Sequence, residues 1–416
     1  MLAKQQQRAL LIICAAYFVW YTATQWATSL LSFIHWEAQP TLTVVQLGYI
    51  QAFGSICNAF GAFLFGQLTD SVGCRPVLLT CVALTSFYYA ILSQCGDARA
   101  FFVAQLLRVG FQFDSIAEFL AAAVSGERDR TQAIMALALP QGLALLCGPL
   151  LAAKFAIWFG IRTSVFMSGL FLASTLGPLV YFVLPEGRLE PTTDKFSGEK
   201  LIIKVSSYWP LLRRKAALRQ AITLRVLLVA PFVGYELISR QFLLKYIYRG
   251  PWSSAVVMVS MGASVAGVQF LLLPRLQRRL TPRRLLQAAI LCQIATYTFV
   301  AAFGAHTMAK LMLVTAVQSA SYALAYAETG AQIAAAVPTE QLGLASGLAG
   351  SALWLVHVVM PMVAVHLVTR WHYTFAFYLS ALLACLAFAY ATAFCRYLDA
   401  RTHALLPTVT TTGMHP

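Results

Sequence analysis

Long apolar runs alternate with short polar segments along the whole of this 416-residue chain. A helix needs about 20 apolar residues to cross a lipid bilayer. Runs of that length lie at 9–33, 46–68, 77–96, 99–124, 132–154 and 163–184, and again at 221–245, 252–273, 285–304, 309–336, 343–368 and 374–396. The pattern predicts an all-α membrane protein with twelve transmembrane helices, six in each half of the chain.

The same pattern sets the predicted boundaries within the chain. Residues 1–184 form an N-terminal six-helix half, 221–396 form a C-terminal six-helix half, and 397–416 form a cytosolic tail. The polar segment 185–220 is predicted to be a cytosolic linker. Within it, Leu201–Leu212 is either an amphipathic helix on the inner leaflet, beside the basic cluster Arg213-Arg214-Lys215, or a plain loop.

Composition supports lipid as the main solvent. The chain is 59% hydrophobic and 11% charged, and its mean hydropathy is +0.71. A water-soluble fold of this size cannot hide so much apolar surface. The nine cysteines fall mostly inside apolar runs without metal-ligand spacing, so neither a metal site nor a cofactor is predicted, and no enzyme motif is present.

The formal net charge of +15 comes from short basic blocks between the apolar runs. Such blocks are typical of cytosolic loops in membrane proteins and not of a nucleic-acid groove. With both termini in the cytosol, inner segments hold twenty Lys and Arg residues and outer loops hold seven. The bias predicts that both termini are cytosolic; it leaves open whether the plasma membrane or an internal membrane holds the protein.

The stretch from Gly66 to Leu78 separates the second and third runs and is predicted to be a tight polar loop. There an acid can cap or pair locally, a glycine permits a positive φ, and an arginine stays in cytosolic water. The stretch resembles the loop signature of the major facilitator superfamily, G-x-L-x-D-x-x-G-R-R-x-x-L. The matching residues are Gly66, Leu68, Asp70, Gly73, Arg75 and Leu78, whereas Ser71 and Cys74 stand where the family usually has basic residues.

Three further stretches resemble this superfamily. Gly148 and Pro149 in the fifth run resemble the start of the G-P-x-x-G-G signature of its drug:proton antiporters, with Ala152 and Ala153 in place of the two glycines. A proline there bends the helix, and small residues let a neighbouring helix approach closely. In the fourth run, Arg108 occupies a position where the family often has a buried arginine, and Leu47–Gln51 resembles the tetracycline-resistance-like and organic-cation-transporter-like branch.

The second half of the chain repeats part of the loop signature. A shift of 208 residues places Leu68, Arg75 and Leu78 on Leu276, Arg283 and Leu286. With six predicted helices on each side, the match favours two parallel structural repeats around a midplane cavity.

The family resemblance implies a secondary transporter that works by alternating access. Its two halves would rock about a central site, and the loop between the second and third helices would steady one of the two states. The branch resemblance implies proton-coupled export or exchange of small amphipathic organic cations. The expected partners are this substrate, protons and the lipid bilayer, with no nucleic acid, and the protein is expected to be a monomer.

Charges inside the predicted helices mark either ion pairs or pathways, because each costs about 2.5–3.5 kcal/mol at the bilayer centre. In the fourth helix, Asp114 and Glu118 are four residues apart on one face. Two acids so placed favour proton binding. Asp114 and Glu118 are therefore candidate coupling sites, Asp114 nearer the middle of the span, with Arg108 tuning their proton affinity; structural neutralisation by Arg108 and neighbouring helices is the alternative.

Two later helices also carry candidate charges. Glu236 and Arg240 are spaced for an intrahelical ion pair, which is either structural or a gate that breaks during rocking. Glu328 lies in an Ala-rich helix and is a candidate proton or cation site. Arg225 is predicted to snorkel towards the inner surface and is not a candidate.

A stripe of polar and aromatic side chains follows the first helix, at Tyr17, Tyr21, Thr24 and Thr28, with Gln25 alongside. Aromatic faces there can hold a cation. The stripe therefore predicts a substrate cavity; helix–helix packing with internally bonded hydroxyls is the alternative.

Other functions remain open at this point. The chain could carry organic anions through Arg108 and Arg240, or act as a facilitative uniporter. The substituted signature residues also permit a non-transporting membrane regulator that recruits partners through its basic loops.

Overall fold

The computed structural model describes residues 2–37, 44–125, 133, 136–184, 212–213, 215–242, 251–337 and 341–394, and every regular element in these ranges is helical. Most of the predicted linker, including the run Leu201–Leu211, and the predicted tail lie outside the described residues. So does the side chain of Asp70.

The N-terminal half contains six helices in chain order. They are α1 (Leu2–Glu37), α2 (Val44–Val72), α3 (Cys74–Leu92), α4, which is split into α4a (Ala98–Gln105) and α4b (Phe113–Val124), α5 (Ala138–Phe159) and α6 (Ile161–Phe171). A 3-10 turn, Leu106–Gly110, follows α4a, and two π turns, Leu172–Leu176 and Leu179–Val183, extend α6.

The C-terminal half contains six more. They are α7 (Ala216–Phe242), α8 (Pro251–Gly267), α9 (Pro282–Phe303), α10 (Met308–Ala335), α11 (Leu342–Arg370) and α12 (Tyr373–Phe394). A π turn, Val268–Leu272, and a short helix, Leu273–Arg279, extend α8.

These helices confirm the predicted fold. Eleven of them are long and apolar enough to cross a membrane. The fourth is the exception because its break leaves two short pieces, which together cover the predicted run 99–124. The side on which α1 begins and α2 ends is called the near side below, and the opposite side is called the far side.

The two halves meet along two helix pairs, α2 with α11 and α5 with α8. Small residues permit the close approach of α5 and α8. A Cβ atom added at Gly262 would lie 2.8 Å from the carbonyl carbon of Leu145, and one added at Gly142 would lie 3.1 Å from the amide nitrogen of Ala266. Without a hydrophobic drive between helices in lipid, such close packing is a main source of association.

The two halves share an arginine contact at equivalent positions. Arg75 Nη2 donates a hydrogen bond to the carbonyl oxygen of Leu184 at 2.9 Å, where α6 ends. Arg283 Nη2 donates to the carbonyl oxygen of Thr392 at 2.8 Å, near the end of α12. Both pairs are 109 residues apart and are related by the predicted 208-residue shift, so the repeat extends to side-chain contacts.

The prediction of a polar loop at the signature is wrong. Helix α2 continues through Gly66 and Asp70 to Val72, and α3 begins at Cys74. Polar residues are compatible with a helix that continues beyond the bilayer, and here the helix ends where a glycine adopts a positive φ. That glycine is Gly73, with a φ of 93°.

The prediction that Arg75 stays in cytosolic water is also wrong. The residue is half-buried and caps the final carbonyl of the α6 segment. A guanidinium is a good partner there because the last carbonyls of a helix lack intrahelical donors.

The predicted close approach at the fifth helix is confirmed. Pro149 lies inside α5, and a Cβ atom added at the preceding Gly148 would lie 2.7 Å from the carbonyl oxygen of Thr22 on α1. Ala152 and Ala153, which replace the signature glycines, are both buried, so small side chains maintain this packing.

Replacing Gly262 by alanine is expected to destabilise the protein by about 1–3 kcal/mol, because the added methyl group forces apart the backbones of α5 and α8. The readout is the midpoint of thermal unfolding in detergent. Gly267→Ala is the matched control in the same helix, since nothing lies within 4 Å of the added Cβ atom. Equal midpoints for the two variants would contradict the packing argument.

Candidate functional site

A central cavity of about 290 Å³ lies between the two halves. Side chains from α1, α4, α5, α7, α8, α10 and α11 line it. Aromatic and sulfur-containing side chains form part of its walls. The aromatic residues are Tyr17, Tyr21, Phe111, Phe232, Tyr322, Tyr326 and Trp354, and the methionines are Met258 and Met261.

The charged groups of this cavity are all acidic among the described residues. Asp114, Glu118 and Glu236 line it, and its described lining contains no Lys or Arg. His357 is the remaining titratable nitrogen base there. The cavity is therefore an anionic site with aromatic walls.

The break in α4 positions two opposite charges. Arg108 lies in the 3-10 turn after α4a, and Asp114 lies in the first turn of α4b. A cation is favoured where a helix ends and an anion where one begins, because the backbone dipoles are aligned along the axis. The break therefore places the preferred charge at each of two helix ends inside the membrane.

Backbone groups freed at the break find partners. The amide of Phe111 donates to the carbonyl oxygen of Arg108 at 2.9 Å, and the amide of Gln112 donates to that of Gly110 at 2.8 Å. The Gln112 side chain donates to the carbonyl oxygen of Asn58 on α2 at 2.8 Å. Irregular backbone at membrane depth needs such partners where it lines a cavity.

Asp114 has one carboxylate oxygen, Oδ1, without a hydrogen-bond partner in the described part of the chain. The side chains of Tyr17 and Trp20 on α1 approach the same carboxyl group. A buried acceptor left open in this way costs free energy unless a ligand, a water or a proton satisfies it. Asp114 is thus placed to receive a cation or a proton.

An ion pair links the halves on the near side of the cavity. Arg225 Nη2 on α7 lies 3.3 Å from Glu118 Oε1 on α4b, and its guanidinium stacks 3.9 Å from the ring centroid of Tyr326 on α10. We call this set of three residues the near-side latch. Each group belongs to a helix of the cavity wall, so the latch holds α4, α7 and α10 together.

The prediction that Arg225 snorkels to the surface is wrong. Helix α7 begins at Ala216, so Arg225 lies about 13 Å along it at 1.5 Å per residue. The residue is 3% exposed. A nearby carboxylate and a ring face hold it inside the protein instead.

A second cavity of about 270 Å³ lies on the far side of the first. Arg108 lines it, together with side chains from the far-side parts of α1, α2 and α3. Phe111, Glu236, Trp354 and His357 line both cavities. These four residues form a shared layer between the central cavity and this far cavity.

The predicted stripe of α1 is divided between the two cavities. Tyr17, Tyr21 and Gln25 line the central cavity, and Thr28 lines the far cavity. The Tyr21 hydroxyl accepts a hydrogen bond from Gln141 Nε2 at 2.7 Å. Thr24 lines neither cavity, and its hydroxyl bonds to the carbonyl oxygen of Tyr21 at 3.0 Å.

The remaining candidates lie in different places. Glu236 lines both cavities, while the side chain of its predicted partner Arg240 lies outside the described residues. Glu328 is 8% exposed and lines neither cavity. Within the described residues, no group of three or more His, Cys, Asp or Glu side chains could hold a metal ion.

Sequence reasoning missed the aromatic wall of the C-terminal half. Phe232 on α7 stacks on Tyr322 with ring centroids 3.8 Å apart, and Tyr322 contacts Tyr326 one turn later. The spacing of Tyr322 and Tyr326, four residues apart as in Tyr17 and Tyr21, is the signal that could have identified them.

The sequence profile of the Major Facilitator Superfamily matches residues 9–305. The chain belongs to this superfamily. It is therefore an integral, multi-pass membrane protein of a family of transporters. None of the curated proteins matches the chain.

Among solved structures, the fold is similar to the crystal structure of the human organic anion transporter MFSD10 (TETRAN). The TM-score is 0.72 at 16% sequence identity, and the match covers 93% of this chain and 99% of that one. At this identity the match shows the fold.

Replacing Glu118 by glutamine is expected to loosen the near-side latch, because Arg225 then stays buried without an anion. The cost should fall below the ~3–5 kcal/mol of a fully buried pair, since the Glu118 side chain is 21% exposed. The expected readout is faster amide hydrogen exchange at the near-side ends of α4b and α7. The double variant Glu118→Gln/Arg225→Met should recover most of the protection.

Glu37→Gln is the control for this experiment, because it removes an ion pair with Arg162 that is exposed and lies on the far side. Its exchange pattern at α4b and α7 should equal that of wild type. Wild-type exchange in Glu118→Gln itself would show that the pair does not hold α4b and α7 together.

Proposed function

We propose that this chain is a secondary transporter that exchanges amphipathic organic cations for protons by alternating access. The observation that carries the proposal is the charge of the central cavity. Its described lining has three carboxylates, no Lys or Arg, and a wall of aromatic rings. An organic cation offers the charge that this lining lacks.

The three acids have separate roles in this proposal. The charge of Glu118 is compensated by Arg225. Asp114 and Glu236, which also line the cavity, are assigned to contact the substrate. A cation that lies between these carboxylates and the rings of Tyr21, Tyr322 and Trp354 is stabilised by charge attraction and by cation–π contacts. Cation–π contacts contribute about 0.5–2 kcal/mol each, more where water is excluded.

Coupling to protons follows from competition at Asp114. Its open carboxylate oxygen can be satisfied by a substrate cation or by a proton, and the low-dielectric site disfavours leaving the charge uncompensated. When a substrate cation leaves to one side, a proton from that side takes its place; the carrier then releases the proton on the other side, so that the two are exchanged. The sequence predicted Asp114 and Glu328 as the proton or cation sites, whereas the lining of the central cavity favours Asp114 and Glu236.

The near side is taken as cytosolic in this proposal, because inner segments carry most of the Lys and Arg residues. Both termini then lie in the cytosol, and the near-side latch faces the cytosol. A monomer suffices, since both halves of the cavity come from one chain.

Carriage of organic anions is the second candidate. It is favoured by Arg108 in the far cavity, and the solved structure with a similar fold is described as an organic anion transporter. The acidic lining of the central cavity argues against an anion as the ligand at that position.

Accumulation of radiolabelled ethidium in proteoliposomes, driven by an imposed pH gradient, tests the proposal against protein-free liposomes. Asp114→Asn and Glu236→Gln are each expected to lower gradient-driven accumulation at least tenfold, because each removes a cavity carboxylate. Glu328→Gln is the matched control. It neutralises a buried acid outside both cavities and should retain accumulation.

Other outcomes separate the alternatives. Ethidium uptake that ignores the gradient contradicts proton coupling and indicates facilitated diffusion. Full activity in both cavity variants contradicts the assigned site. A well-folded protein that carries neither cations nor anions contradicts transport altogether, and deletion of Arg213-Arg214-Lys215 then tests a regulatory role.

A further inference from the structure

The far cavity has a lining unlike that of the central cavity. Hydroxyl and amide groups of Thr28, Ser32, Gln51 and Tyr88 line it, together with the guanidinium of Arg108. Its described lining has one carboxylate, Glu236, which lies in the layer shared with the central cavity. Away from that layer, the guanidinium of Arg108 gives the cavity a positive charge, among hydroxyl and amide groups and apolar side chains.

Two buried polar atoms of this lining have no hydrogen-bond partner in the described part of the chain. They are Nε2 of His35 on α1 and the hydroxyl of Tyr89 on α3. His35 is 6% exposed and Tyr89 is 2% exposed. Buried polar atoms are nearly always hydrogen-bonded in folded proteins, so a ligand with hydrogen-bonding groups would remove this deficit.

Neutral side chains hold Arg108 by hydrogen bonds, and no carboxylate in the described part of the chain forms an ion pair with it. Its Nη1 donates to Gln105 Oε1 at 3.3 Å, and its Nη2 donates to the Asn58 side-chain oxygen at 2.9 Å when that amide is oriented to suit its neighbours. The ion pairs among described residues are Arg162–Glu37 and Arg225–Glu118, so Arg108 belongs to none of them. Neutral partners fix its geometry and leave its charge for a ligand.

Aromatic rings flank this guanidinium. Its Cζ lies 5.7 Å from the ring centroid of Phe111 and 5.8 Å from that of Trp354. Leu31 and Leu47 add apolar surface to the same cavity. A planar guanidinium binds carboxylate and sulfonate groups through paired donors, and the surrounding surface suits a flat apolar body.

We propose that the far cavity is a binding site for an organic anion, a carboxylate or sulfonate on an aromatic body, with Arg108 as its counter-ion. The proposal goes beyond cation exchange, which concerns the central cavity. Because the cavities share a layer, the anionic group belongs either to a separate organic anion or to one end of a zwitterion whose cationic end reaches Asp114.

The test is the binding of naphthalene-2-sulfonate to the purified full chain in nanodiscs, measured by isothermal titration calorimetry. Arg108→Gln is expected to raise the Kd at least tenfold, and Arg108→Lys should raise it less because it keeps the charge. Arg162→Gln, which removes an arginine outside both cavities, should leave the Kd unchanged. Unchanged sulfonate affinity in Arg108→Gln would overturn the proposal, as would the absence of sulfonate binding to wild type.

A second variant covers the case in which Arg108→Gln does not fold. Thr28→Leu replaces a lining side chain on α1 with a bulkier apolar one and should also weaken sulfonate binding. Wild-type sulfonate affinity in Thr28→Leu would count against the site. The result is independent of ethidium accumulation. Sulfonate binding that depends on Arg108 stands even where no cation is transported.

A zwitterionic probe distinguishes the two sources of the anionic group. For 3-(benzyldimethylammonio)propanesulfonate, loss of affinity in both Arg108→Gln and Asp114→Asn supports one molecule spanning the two cavities. Loss in Arg108→Gln alone supports a separate organic anion. Loss in neither overturns the proposal.

Discussion

The break in α4 is the constraint on which the central architecture depends. Lipid offers no hydrogen bonds, so an interrupted helix must satisfy its backbone within the protein. Here the bonds inside the turn and the one from Gln112 to Asn58 do so, and α2 must therefore pack against the break. The break also creates two helix ends inside the membrane, with Arg108 at the end of α4a and Asp114 at the beginning of α4b. Arg108, the guanidinium of the far cavity, and Asp114, one of the three carboxylates of the central cavity, owe their positions to this one interruption.

Arg225 is buried for a similar reason: partners within the protein replace the water that it loses. Arg225 enters the protein interior because Glu118 offers a carboxylate and Tyr326 offers a ring face. A buried pair of this kind adds little net stability, since desolvation offsets much of the attraction. Its effect is on geometry: it ties α4 of one half to α7 and α10 of the other. A pair that holds two halves together at little net cost is easily exchanged for water when the halves separate.

Hydropathy was sufficient to predict the twelve helices, because lipid demands about 20 apolar residues per crossing whatever the packing. It did not predict helix ends such as Gly73, since those depend on a backbone angle beyond the bilayer. Nor did it reveal the break at Leu106–Gly110, which lies inside one apolar run. The acids of α4 and the tyrosines of α1 could be named from spacing. The spacing of Tyr322 and Tyr326 offered the same signal. Arg225 and Phe232 could not be named in this way, because their roles depend on which side chains face them across the halves.

The repeat clarifies how two similar halves make an unsymmetrical site. The 208-residue shift that relates Arg75 to Arg283 also relates Asp114 to Tyr322 and Glu118 to Tyr326. Equivalent positions thus carry carboxylates in one half and aromatic rings in the other, and all four line the central cavity. Arg225 contacts Glu118 and Tyr326, one equivalent pair, at the same time. Under the proposed cation exchange, a cation bound between Asp114 and Tyr322 would bridge the other equivalent pair in the same way.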